Sequence, residues 1–130
     1  MKDKFPGLED LETWKKCREL RINIGKFIKT LPQEEKFKLA DQLTRASRSI
    51  TNNISEGYGR FHFQENIQYL RTSRGSIYEC IDDLYISLDE KYISQENFEA
   101  LYNECQDCLK LINGYIKYLK TRKNEAPDTN

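Results

Sequence analysis

From Phe63 onward, apolar side chains return at alternating steps of four and three residues: Phe63, Ile67, Leu70, Arg74, Ile77, Ile81, Leu84 and Leu88, with Arg74 the one charged residue on the seam. A step near 3.5 holds one face of an α-helix against a partner, so the spacing predicts a helix over about 63–89. Phe98, Leu101, Cys105, Cys108, Ile112, Tyr115 and Leu119 repeat the step and predict a helix over about 95–121, with Ser94 as N-cap and Glu96 and Glu99 near its positive end. An earlier helix, about 33–57, aligns Leu39, Leu43, Ala46, Ile50 and Ile54, with Phe37, Ala40 and Ser47 widening its face. Pro32 suits its first turn and Gly57 its C-terminal cap, while Gly59 helps to turn the chain toward Phe63. The first helix, about 8–29, aligns Leu11, Trp14, Cys17, Leu20, Ile24, Phe27 and Ile28 behind Pro6 and Gly7. Gly25 costs it some helix propensity.

The connections near 30–32, 58–62 and 90–94 are too short for a crossover, so consecutive helices must run antiparallel. The expected fold is all-α, an antiparallel up-down-up-down four-helix bundle packed at about 20°, forming one domain over residues 1–123. The chain ends in the aperiodic "RKNEAPDTN", and residues 124–130 are expected to be a disordered tail.

Threading the chain this way turns a neutral composition, 21 basic against 21 acidic residues, into a dipolar molecule. Residues 1–18, 45–78 and 110–123 share one end with fifteen basic and six acidic side chains, a charge of +9. Residues 19–44 and 79–109 form the other with six basic and thirteen acidic side chains, a charge of −7. The basic end, with Lys110, Lys117, Lys120, Arg122 and Lys123 clustered on the last helix, suits phosphates, although cations at a helix C-terminus also complement the macrodipole. No window approaches the roughly 18 apolar residues of a membrane span, and "MKDKFPGLEDLETW" lacks the apolar core of a secretory leader. A cytoplasmic protein without membrane contact is expected, with its four cysteines as thiols and Asn53-Ile54-Ser55 as an accidental sequon.

The supply of catalytic groups is thin. His62 is the single histidine, it lies in a turn, and its neighbours Ser55 and Tyr58 form no nucleophile motif. Gly57-Tyr58-Gly59 is too short to cradle a phosphate alone, and no Walker loop, GxGxxG or HExxH occurs. Neither an enzyme nor a cofactor is expected. Cys105-x-x-Cys108, with Cys17 and Cys80 at the middle of their own helices, has zinc-ligand spacing, but seam positions favour buried, uncoordinated thiols. Arg45, Arg48, Asn53, Glu56, Arg74, Ser76 and Glu79 lie on or beside apolar faces, where uncompensated charge is costly. They predict a hydrogen-bonded polar layer, inside the bundle or between protomers. Tyr78 and Tyr85 beside the seam give the third helix more apolar width than one bundle needs, which favours a homo-oligomer over tyrosine stacking on single-stranded bases.

The run "QLTRASRSITNNISEGYGR", followed by "YLRTSRGSIYE", resembles the bacterial family of 23S ribosomal RNA intervening-sequence proteins. The resemblance spans nearly the whole chain, and the family's Gln42, Leu43, Arg45, Ala46, Ser49, Ile50, Asn53, Ile54, Glu56 and Gly57, then Gly75, Ser76 and Glu79, are all present. Ser55 stands where alanine is commoner, and Thr72-Ser73-Arg74 replaces a more apolar approach to Gly75. The family name describes a genomic address within ribosomal RNA inserts, and the resemblance implies a small non-enzymatic bundle that assembles as a ring, with a pentamer as the expected state. Accessory proteins of diversity-generating retroelements look similar in fold and bind RNA with a reverse transcriptase. The expected function is a scaffold binding structured RNA, in preference to DNA, through Arg60, Arg71, Lys117, Lys120, Arg122 and Lys123, with Tyr58 and His62 on the rim. The alternative is an assembly module that binds a protein partner and no nucleic acid.

Overall fold

A computed structural model describes residues 7–125. A 3-10 turn at Leu8–Asp10 precedes α1 (Glu12–Ile28), and a second at Gln33–Glu35 precedes α2 (Leu39–Gly59), α3 (Phe63–Asp89) and α4 (Gln95–Glu125). The chain is all-α, and each helix packs on two neighbours: α1 and α3 each contact both α2 and α4. Contacts along three of the four seams run in an antiparallel sense. Between α2 and α3, Ser49 meets Ser76 while Gly57 approaches Asn66. Between α3 and α4, Asn66 bonds Tyr115 and Arg74 bonds Asn113. Between α1 and α4, Cys17 adjoins Cys108 and Asn23 bonds Glu104.

The predicted seams face inward. Leu20 and Ile24 of α1, Leu43, Ile50 and Ile54 of α2, Leu70, Ile77 and Leu84 of α3 and Ile112 of α4 are fully buried. Each such side chain stabilises the fold by roughly 1.5–3 kcal/mol over leaving it in water. α3 occupies the range its spacing predicts, and two residues past its end Lys91 takes φ 63, where Tyr92 N–H bonds Ser87 C=O and Lys91 N–H bonds Leu88 C=O. Those two bonds satisfy carbonyls that the helix end would leave open. Ser94 caps α4 as expected, its hydroxyl accepting from Asn97 N–H at 3.1 Å.

Three boundaries differ from expectation. Leu11 is extended (φ −82, ψ 115) and separates the first 3-10 turn from α1, which starts four residues after Leu8. Residues 33–38 do not continue as α-helix, because Glu35 takes over the start of α2: its carboxylate accepts from Leu39 N–H at 3.2 Å and from the Tyr92 hydroxyl at 2.9 Å. Phe37 therefore points to solvent, 84% exposed, and does not widen the core face. Gly57 is not a cap: it lies buried within α2, which runs to Gly59, and the left-handed residue beyond the helix is Phe61 at φ 55. Glycine at 57 is required by a close approach, since a Cβ there would sit 2.7 Å from Asn66 Oδ1 and 2.9 Å from Tyr69 Cβ. α4 passes its predicted end at 121 and reaches Glu125; residues 126–130 of the expected tail lie outside the described residues.

Candidate nucleic-acid interface

The antiparallel register brings the α2–α3 turn and the C-terminal turns of α4 to one end of the bundle. On α3, Gln64, Ile67 and Arg71 follow at helical spacing; on α4, Lys120 and Lys123 are one turn apart. These five residues line one cleft of about 260 Å³ between the two helices. Lys123 donates to the Gln64 side-chain oxygen. Among the described residues, no carboxylate lies within ion-pair distance of Arg71, Lys117, Lys120 or Lys123. Three cations converge there over an apolar floor, with an amide to orient one of them. Such a cleft suits a phosphate oxygen, because the cations keep most of their charge for a ligand.

The other expected contacts are less available. Arg60 binds the Glu56 carboxylate at 2.9 Å and the Tyr69 hydroxyl at 2.9 Å. Arg122 lies 6.0 Å over the ring of Tyr118, which stacks on Tyr115. His62 is half-buried and caps α3, its Nδ1 accepting from Glu65 N–H at 3.4 Å, so it builds the turn. Tyr58 is also half-buried, and Lys117 is exposed.

The expected polar layer resolves into a small neutral network with charged residues outside it. The Asn53 amide donates to Ser49 Oγ at 2.9 Å, Ser49 and Ser76 hydroxyls meet at 2.8 Å, and Ser73 Oγ donates to Ile50 C=O at 2.8 Å. Short hydroxyls are satisfied inside at low desolvation cost, whereas charged heads reach solvent on longer stems. Arg45 pairs with Asp41 on the surface, Glu56 with Arg60, and Arg74 reaches Asn113 on α4. Arg48 and Glu79 are exposed.

Beside this network, an open groove of about 750 Å³ runs between α2 and α3, with Gln42, Arg45 and Ser49 on one wall and Gly75, Tyr78 and Glu79 on the other. Asp83 at its edge has its carboxyl raised to about 6, first by burial and then by Asp82 and Glu79. The expected tyrosine face is partly spent on internal packing: Tyr85 meets Phe98 edge-on at 4.8 Å, while Tyr78 remains 58% exposed. All four cysteines are free and fully buried. A hydrogen bond to Cys108 and burial push the Cys17 thiol far up, and burial pushes Cys105 up to about 12. Among the described residues, no group of three or more His, Cys, Asp or Glu is placed to hold a metal ion. Nor is any helix among them long and apolar enough to cross a membrane.

Sequence reasoning missed Gln64 and Phe61. Gln64 carries no charge to flag it. Phe61 left a signal, an aromatic in a polar turn two residues before the α3 seam begins.

A family model described as 23S rRNA-intervening sequence protein matches residues 9–114. Among solved structures, the chain is similar to a protein of unknown function from the S23 ribosomal protein family of Bacteroides thetaiotaomicron, with 26% identity, a TM-score of 0.75, and 81% of this chain and 98% of that one covered. No curated protein matches.

Proposed function

The chain belongs to the 23S rRNA-intervening sequence protein family, and we propose that it is a non-enzymatic, homo-oligomeric, cytoplasmic scaffold that binds RNA through its basic end. The observation that carries this reading is the convergence of Arg71, Lys120 and Lys123 on one cleft with no carboxylate partner among the described residues. Lys117 and Arg122 extend the positive surface along α4, and the acidic opposite end repels a polyanion and so orients its approach. Contacts of this kind read backbone shape and not base sequence.

Binding through phosphates releases condensed counterions, so affinity must fall as salt rises. Fluorescence anisotropy with labelled RNA from 50 to 300 mM salt tests this: the expected result is a linear fall of log affinity with log salt, with a slope corresponding to about three to five contacts. Affinity indifferent to salt would remove the reading.

The α2–α3 groove favours a second reading, a protein-interaction module, because Gln42, Arg45, Ala46, Ser49, Gly75 and Glu79 of the family motif line it. This reading predicts purified protein free of RNA by its 260/280 nm absorbance ratio. Both readings share self-association, and a monomeric mass in native mass spectrometry would contradict it.

A further inference from the structure

Resting on the reading that the basic end binds RNA, we propose that this end recognises unpaired nucleotides, with Phe61 as the platform on which a base stacks. Phe61 is 81% exposed, its backbone is left-handed (φ 55), and it occupies the position after α2 that glycine fills without strain. Bulky residues rarely adopt that conformation, so the fold tolerates a backbone cost to hold an aromatic ring in water. The ring stands three residues before Gln64, within about 11 Å of chain from the Arg71, Lys120 and Lys123 cleft.

An exposed aromatic ring at the same end of a molecule as converging cations suits single strands: the cations track phosphates while the ring takes a base. A paired base inside a duplex offers no free face, which selects loops, bulges and single strands over continuous helix. Charge complementarity favours a nucleic acid over an apolar protein segment here, because the ring lies on the α2–α3 turn, at the same end of the bundle as Arg71, Lys120 and Lys123.

The test compares a labelled single-stranded oligouridine with an RNA duplex of equal length, using wild type and Phe61→Gly. Glycine suits the left-handed backbone, so this variant keeps the fold, as circular dichroism and a urea midpoint at or above wild type will verify. The expected result is tighter binding of the single strand by wild type and a roughly tenfold loss for Phe61→Gly on the single strand alone. The salt slope stays unchanged, since no phosphate contact is removed. Equal affinity for both RNAs, or single-strand binding unaffected by Phe61→Gly, overturns the proposal and leaves the basic-end reading standing. Binding of neither RNA overturns both. A change in native mass caused by Phe61→Gly also overturns it, by making Phe61 a contact between copies.

Discussion

Gly57 and Asp83 carry their meaning in neighbours that the sequence does not display. A glycine where a helical pattern stops reads as a cap, yet Gly57 is needed because Asn66 and Tyr69 of α3 press against its Cα. Gly57→Ala is predicted to lower stability by about 1–3 kcal/mol through forced separation of α2 and α3. Gly25→Ala and Gly114→Ala, where a Cβ meets nothing within 4 Å, should instead raise stability by up to about 1 kcal/mol. Urea midpoints of the three variants check the contrast. Asp83 has an ordinary carboxyl value of 3.8 that burial raises to about 6 in the fold. Ionising it therefore costs the folded state more than the unfolded chain. The penalty is absent below 3.8 and complete above about 6, so Asp83→Asn is predicted to exceed wild type in stability at pH 8 and to match it near pH 4. Chemical denaturation at the two pH values measures this; an advantage equal at both would contradict the assignment.

The helices themselves were legible because a 3.5-residue step leaves one interpretation for long segments, and α3 and the start of α4 fall where the step places them. The step does not report where hydrogen bonding lapses within an apolar pattern. Leu11 and Phe37 both keep helical phase, yet Leu11 is extended and the chain at Phe37 is turned outward by the Glu35 cap. The Arg71, Lys120 and Lys123 cleft was legible as charge, while the tying of Arg60 to Glu56 and Tyr69 depends on side-chain geometry. Where α1, α3 and α4 meet, Cys17, Cys80, Cys105 and Cys108 are sealed from water and held as thiols. Excess maleimide at pH 8 is expected to leave all four unmodified in the native protein and to modify all four in 6 M guanidinium, as counted by intact mass. Leu70→Ala in the adjoining α3 seam should cost about 2–5 kcal/mol by the same denaturation assay.

At the scale of the whole molecule, net charge conceals the feature that matters, since among residues 7–123 antiparallel threading separates +8 from −7. Association with a polyanion should depend on which end loses charge and not on how much is lost. Two variants of equal charge change separate these possibilities: Lys117, Lys120, Arg122 and Lys123 to Gln at the basic end, and Lys26, Lys29, Lys36 and Lys38 to Gln at the opposite end. Anisotropy titration of one labelled RNA at 100 mM salt is the direct measurement. The basic-end variant is predicted to lose at least tenfold in affinity while the opposite-end variant stays within about twofold of wild type. Equal losses in the two variants, or no loss in the first, would contradict a basic-end RNA interface.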